Sequence, residues 1–512
     1  MWRRGTVALA VTAALLVAGC SSDGDVRPKA GEPSRATEDA ADRVLTARTG
    51  PLAEFYNQRL RWRDCRGDFQ CSRLVVPRDY ARPAGSTISI ALVRLRSSDD
   101  PRGSLVLNPG GPGGSGIDYA RAAESVVSKA VRQRYDIVGF DPRGVARSAP
   151  VSCLSDERID AFMSIDGSPD TLAEEQALDE EWSRLGRGCA DRRPEIAAHM
   201  STREVVRDLD VLRAALNDRR LSYLGKSYGT YIGTTYAEMF PRRVGRLVLD
   251  GQLDPAASGE EIAAGQVTGF QRALESFLAN CVARSGCPLS GSAQEAGAQL
   301  ARLVDRVDGQ PLRGEAGRPV TQALAVYGIA TALYDTGSWG LLRRGVAEMR
   351  RGNGATLLAL ADYYADRGPD GHYTTNALEA FYAVSCLDRP ESRDLAAQRA
   401  AAAEQDQVSP VFGSFIAWGN LACVGWPFPG KDEPAPVTAA GAGPILVVGT
   451  TRDPATPYEW ARTVARTLES GRLLTYVGDG HTAYRRGSPC IDRAVDRYLL
   501  EGKLPATGTR CR

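Results

Sequence analysis

The chain has 512 residues, with 43% hydrophobic and 24% charged residues and a formal net charge of +1. That length supports a large core, in one elaborated domain or two. The near-zero charge gives no footprint for nucleic acid, and after residue 20 no run of 18 or more apolar residues could span a membrane.

The N-terminus reads as a targeting segment over residues 1–19. Arg3 and Arg4 precede an apolar stretch from Thr6 to Ala18, and Val17-Ala18-Gly19-Cys20 follows. Small residues before a Cys resemble a bacterial lipobox. That resemblance implies cleavage before Cys20, lipidation of its sulfur, and anchoring on the outer face of the cell membrane. An ordinary secretory signal is the alternative; both export the protein. Residues 20–50 are rich in Asp, Glu, Arg, Pro, Ser and Ala and read as a solvated tether.

Ten cysteines remain after Cys20: Cys65, Cys71, Cys153, Cys189, Cys281, Cys287, Cys386, Cys423, Cys490 and Cys511. An even number in an exported chain points to disulfides. Sequence does not fix their connectivity; pairing of neighbours is the simplest expectation. No C-x-x-C occurs and histidine is scarce, so no metal centre is expected, and no cofactor motif is present.

From Pro51 onward, short apolar runs alternate with helical patterns. Thr87–Leu95 and Ser104–Asn108 read as strands, the second ending in the Gly-rich loop NPGGPGGSG (108–116). Tyr135–Phe140 is another, followed by DPRGVARS (141–148). Ser201 and Glu204 have capping-box spacing before Val205, Leu209, Leu212 and Leu216. Leu221–Leu224 runs into the turn Gly225-Lys226-Ser227-Tyr228-Gly229, and Arg246–Asp250 is a further strand. The alternation predicts an α/β fold with a mostly parallel central sheet covered on both faces.

From residue 255 to 436 strand signals stop and Ala/Leu/Arg-rich helices dominate, which predicts a helical cap inserted between two parts of the core, 51–254 and 437–512. Its aromatic clusters are read as the core of the insertion, with groove lining as the alternative. Pro444–Gly449 and Leu473–Val477 resume the sheet, and the stretch from Cys490 to Cys511 closes the chain as a tail.

G-x-S-x-G between a strand and a helix is the context in which a serine is presented as a nucleophile. The pentapeptide alone is a weak signal, and a plain Gly-rich turn matches it equally. A serine hydroxyl needs a base, and the base needs an acid to orient it. His481, in GDGHTAY after a strand, is the favoured base; His199 and His372 lie in a helix-flanking and a polar-loop context. Asp453 in GTTRDPATP is the favoured acid, with Asp250 and Asp479 as rivals. Thr456 belongs either to the acid loop's bonding or to its turn. The order Ser227…Asp453…His481 is that of the α/β-hydrolase fold. Oxyanion donors are expected from the Tyr228 backbone N–H and from Gly110 or Gly111, with Gly111 favoured. A phosphate-binding reading of that loop lacks G-x-x-x-x-G-K-[ST].

The motifs G-G-P-G (110–113), D-P-R-G-x-x-R-S (141–148), G-K-S-Y-G-T (225–230), L-D-G (249–251), R-D-P-x-T-P (452–457) and G-D-G-H (478–481) together resemble proline-iminopeptidase-like α/β-hydrolases. More closely, they resemble exported tripeptidyl aminopeptidases of actinobacteria, from about residue 60 to the C-terminus. Asn108 stands where proline iminopeptidases carry His. The resemblance implies a serine peptidase acting on free amino termini of peptides or proteins. It carries over Ser227, Asp453 and His481 as the triad and Gly111 and Tyr228 as oxyanion donors, and it implies a C-terminal region typical of that branch. An aminopeptidase must bind a substrate ammonium, for which Asp388 is a candidate. A lipoprotein esterase or lipase with the same triad, and a non-catalytic binding protein on a hydrolase scaffold, are the competing readings.

Overall fold

The computed structural model describes residues 50–390, 394–430 and 433–512. The expected signal segment, the Cys20 lipidation site and all of the tether except Gly50 lie outside these residues.

Eight strands build the central sheet. They are β1 (Phe69–Pro77), β2 (Thr87–Leu95), β3 (Ser104–Asn108), β4 (Asp136–Phe140), β5 (Leu221–Lys226), β6 (Val244–Asp250), β7 (Ile445–Arg452) and β8 (Gly471–Asp479). Their order across the sheet is β1-β2-β4-β3-β5-β6-β7-β8. The first two join antiparallel, and all neighbours from β4 to β8 are parallel. The two-residue strands Arg63–Asp64 and Arg510–Cys511 extend the two edges. This is the α/β-hydrolase fold.

Successive residues on each central strand enter different cores. Val106, Val138, Tyr223, Leu247 and Val447 belong to one buried cluster. Leu107, Ile137, Leu224, Val248 and Val448 belong to the other. A strand whose two faces are both buried needs apolar residues without alternation, which is why SLVLN and RLVLD read so clearly.

The helices that concern the site are α1 (Gly116–Arg121), α2 (Leu172–Arg192), α3 (Thr202–Ala215), α4 (Tyr228–Met239), α5 (Gly259–Val282), α6 (Gln322–Leu333), α7 (Ala377–Asp388), α8 (Tyr458–Thr467) and α9 (Pro489–Glu501). The chain leaves the sheet at Asp250 and returns at Ile445; α5, α6 and α7 lie in the intervening insertion. The insertion also holds a small hairpin, Leu312–Arg313 with Pro319–Val320, too short to leave a sequence pattern. The expected tail contains α9, whose buried Ile491, Val495, Tyr498 and Leu499 recur at helical spacing. β1 is not among the strands expected from sequence, although Leu74 and Val76 alternate with exposed residues.

The capping box expected at Ser201 does not form: Ser201 makes no side-chain cap bond. Glu204 is drawn instead to Arg143 (2.9 Å) and Arg207 (3.1 Å). Arg143, from the D-P-R-G motif, is fully buried and also bonds both oxygens of Asp208 at 2.7 Å. A charge with that many fixed acceptors ties the loop after β4 to α3.

The five disulfides join Cys65–Cys71, Cys153–Cys189, Cys281–Cys287, Cys386–Cys423 and Cys490–Cys511. Each links sequence neighbours. Among the described residues, no helix is long and apolar enough to cross a membrane.

Candidate active site

Parallel strands put their carboxyl ends at one edge, and this edge collects the candidate residues. Ser227 follows β5 directly and adopts φ 55°, ψ −130°, a left-handed conformation costly for a residue with a side chain. Its neighbours explain the strain. A Cβ on Gly225 would lie 2.3 Å from the Gly229 carbonyl oxygen, and one on Gly229 would lie 2.7 Å from Asn108 Oδ1. Only glycine fits at both positions, so strand, turn and helix close tightly with Ser227 at the apex. The Ser227 N–H donates to the Asp250 carbonyl (3.0 Å), and the Ser227 carbonyl accepts from Thr230 N–H (2.8 Å) and Thr230 Oγ1 (2.6 Å).

His481 lies two residues past β8. Its Nδ1 stands 2.8 Å from Asp453 Oδ1, in the loop after β7. Asp453 is buried and accepts backbone N–H bonds from Ala455 (3.0 Å), Thr456 (2.9 Å) and Thr482 (3.1 Å). Those donors fix the carboxylate, which in turn holds the Nδ1–H tautomer and leaves Nε2 as the free lone pair. Nε2 is buried with no hydrogen-bond partner among the described residues. Thr456 Oγ1 is 3.4 Å from His481 Nδ1, so Thr456 touches both Asp453 and His481.

The rival acids have other partners. Asp479 is bound by Arg452 Nε and Nη2 at 2.6 and 2.7 Å. Asp250 is fully buried and accepts from the N–H groups of Ala483 and Tyr484, both at 2.9 Å. Lys226, inside the G-x-S-x-G turn, stands 3.6 Å from Asp250 and donates from Nζ to the Tyr484 carbonyl at 2.7 Å. Burial pushes the Asp250 carboxyl up and the Lys226 ammonium down, and each charge opposes the other's shift. The pair clamps the chain just beyond His481 to the turn that carries Ser227. This role of Lys226 has no local sequence signal, because its partners are distant in the chain.

The other histidines lie elsewhere. His372 is exposed and pairs with Asp156 at 2.7 Å. His199 stands beside Asp79 and Glu204, and its carbonyl accepts from Arg143. Asp388 is 2% exposed and engaged at the start of α3. It accepts from Thr202 N–H (2.7 Å) and Thr202 Oγ1 (2.6 Å), and Thr202 Oγ1 also bonds Tyr228 OH. Its carboxylate is thereby tied through Thr202 to Tyr228, and Asp388 also lines the cavity described below.

The Gly-rich loop after β3 packs on the same turn. Gly110 N–H donates to Asn108 Oδ1 at 2.9 Å, leaving Gly111 as the next N–H along the loop. A Cβ on Gly110 would fall 2.9 Å from both Ser227 Cβ and Tyr228 N. The loop's far end is held by Asp141, which accepts from Ser115 Oγ (2.6 Å) and Ile117 N–H (3.2 Å).

Ser227, Tyr228, Gly111 and His481 line one cavity of about 1240 Å³, roofed by the insertion. Aromatic residues of the insertion, among them Tyr327, Tyr334, Phe381 and Phe412, also line it. The clusters read as insertion core are in part cavity wall, because the insertion folds back over the sheet edge without filling the space.

A family model described as TAP-like protein matches residues 409–511. Serine protease Hip1 of Mycobacterium tuberculosis is 38% identical over 497 residues, covering 92% of this chain and 94% of the relative. The chain belongs to the TAP-like serine peptidases. Tripeptidyl aminopeptidase of Streptomyces lividans is 32% identical over 466 residues, 88% of this chain and 86% of the relative. Carboxylesterase B of Mycobacterium tuberculosis is 36% identical over 453 residues, 86% of each chain. The family assignment makes the protein a serine peptidase of the α/β-hydrolase fold, as the ordered motifs led one to expect.

Proposed function

We propose that the protein removes short peptides, tripeptides foremost, from free amino termini through an acyl-enzyme formed on Ser227. The observation that carries this reading is the 2.8 Å contact of His481 Nδ1 with the buried Asp453 carboxylate, in the cavity that Ser227 also lines. His481 Nε2 takes the Ser227 proton as Oγ attacks the substrate carbonyl. Asp453 holds the imidazole and stabilises the imidazolium. The tetrahedral oxyanion is met by the N–H groups of Tyr228 and Gly111. His481 then protonates the leaving amine, and water hydrolyses the ester by the same route in reverse.

The free-amino-terminus requirement and the tripeptide length rest on the likeness to tripeptidyl aminopeptidase. Export, with anchoring through Cys20 to the outer face of the membrane, rests on the lipobox-like N-terminus and on the five cysteine pairs.

Parallel hydrolysis of unblocked and N-blocked mono-, di- and tripeptide anilides tests the reading, with Ser227→Ala as control. Selective cleavage of unblocked tripeptides, lost in the variant, is expected. Equal cleavage of blocked substrates, or a large preference for simple aryl esters, would replace it with an esterase.

A further inference from the structure

Arg389, directly after α7, is 9% exposed and lines the cavity that holds Ser227 and His481. Arginine is almost never buried to this degree without a carboxylate partner. Among the described residues, no carboxylate lies within ion-pair distance of it. Its one hydrogen bond among them runs from Nε to the Ala257 carbonyl, at 3.0 Å. Nη2 is buried with no partner.

The guanidinium is held in place by other means. Its Cζ sits 4.6 Å from the centroid of the Tyr231 ring, one turn into the helix that Ser227 begins. That stacking and the Nε bond fix the plane of the group while leaving Nη2 without a hydrogen-bond partner among the described residues. Among the described residues, the Asp254 charge acts on Arg389 from beyond ion-pair distance, and Asp388 precedes it in the chain. Asp388 binds Thr202, and half-buried Asp254 accepts from Ala256 N–H. Leaving a charged donor buried and unmatched costs several times what an ordinary hydrogen bond contributes, so such a group is explained when a ligand completes it. A neutral carbonyl would satisfy a donor but not the charge. A carboxylate satisfies both.

We propose that Arg389 binds a substrate carboxylate inside the cavity and so makes the enzyme selective for acidic peptides. The inference rests on the peptidase reading above. Two sources share this chemistry: an acidic side chain in the released peptide, or the free α-carboxylate of the product that leaves.

The test uses the full chain and two matched series. One compares unblocked tripeptide anilides carrying Glu or Gln at each position in turn. The other compares short peptides ending in a free carboxylate or a carboxamide. The quantity read is the ratio of kcat/KM within each matched pair, which partial misfolding of a variant leaves unaltered. The wild type is expected to favour the carboxylate at least about ten-fold in one series, as for a hydrogen bond to a charged group. Arg389→Gln should bring that ratio close to one, and Arg389→Lys should restore part of it. A wild-type ratio near one in both series would overturn the proposal. So would an Arg389→Gln protein that loses both members of each pair by the same factor. Should only esters be cleaved, the peptidase reading fails separately. Aryl monoesters of glutaric acid against those of its monoamide then give the same ratio, judged by the same criteria.

Discussion

The main-chain N–H of His481 donates to the carbonyl of Tyr334 at 2.9 Å, and the two rings meet edge to face with centroids 5.2 Å apart. Tyr334 ends α6 in the insertion, and His481 belongs to the sheet. Asp335 and Arg486 add an ion pair of 3.0 Å between the same two segments. The insertion therefore does more than roof the cavity: it holds the loop that carries His481. An aromatic pair of this kind contributes about 1 kcal/mol, and losing it from a catalytic geometry corresponds to roughly five-fold in rate. Tyr334→Leu is expected to lower kcat by at least that factor, while Tyr334→Phe stays near wild type. Steady-state kinetics on one peptide anilide decides it.

Asp453 and Asp250 both reach the His481 loop, but only Asp453 meets the imidazole. Asp453→Asn should reduce kcat by about 10⁴, because the amide no longer enforces the productive tautomer. Asp250→Asn perturbs the Ala483 and Tyr484 N–H contacts and the Lys226 pair, so a far smaller fall in kcat is expected, together with a lower melting temperature. Equal losses in the two variants would move the acid's role to Asp250.

Gly110 marks where the Gly-rich loop touches Ser227. Its φ is +97°, and a Cβ would sit 2.5 Å from the Lys226 carbonyl oxygen. Gly110→Ala is expected to displace the loop and cut kcat by about 10²–10³, the scale of losing one oxyanion donor. Labelling with a fluorophosphonate should slow in parallel, since that reaction uses the same donors.

Asp166 supplies a pH signature. Burial raises its carboxyl from 3.8 to about 6, only partly opposed by the Ser168 N–H. A carboxyl whose folded pKa lies above its unfolded value favours the fold while protonated. Its contribution is complete below about pH 4 and is lost as pH rises through about 6. Asp166→Asn should flatten stability across that window, read as denaturant midpoint against pH.

The Cys153–Cys189 bridge closes a loop of 36 residues between the segment after β4 and the end of α2. Loop-closure entropy for that length corresponds to about 4 kcal/mol. A Cys153→Ser/Cys189→Ser protein is expected to show a clear drop in denaturant midpoint, and wild-type protein unfolded under reducing conditions, which open all five bridges, should lose at least that much.

Local sequence carried the fold class because its determinants are local. The apolar runs SLVLN, RLVLD and PILVVG mark strands buried on both faces, and G-K-S-Y-G works through clashes that a Cβ at Gly225 or Gly229 would make within the turn and with Asn108. Elements with weak or short patterns were invisible or misread: β1, the Leu312–Val320 hairpin, α9 inside an expected tail, and the Ser201 capping box lost to Arg143. Type and position make Asp388 a candidate, but only packing ties its carboxylate to Thr202 at the cavity wall.

The sequence by itself therefore determined an α/β-hydrolase with a serine, an aspartate and a histidine in hydrolase order, and the family to which the chain belongs. Only the tertiary structure decided how those residues are held. Lys226 and Asp250 clamp the chain beyond His481, Tyr334 reaches it from the insertion, and Thr202 links Asp388 to Tyr228. Arg389 comes to stand in the cavity with Nη2 unpartnered among the described residues. Each of these pairs brings together groups far apart in the chain, and such contacts arise from packing, which leaves no periodicity or motif to read.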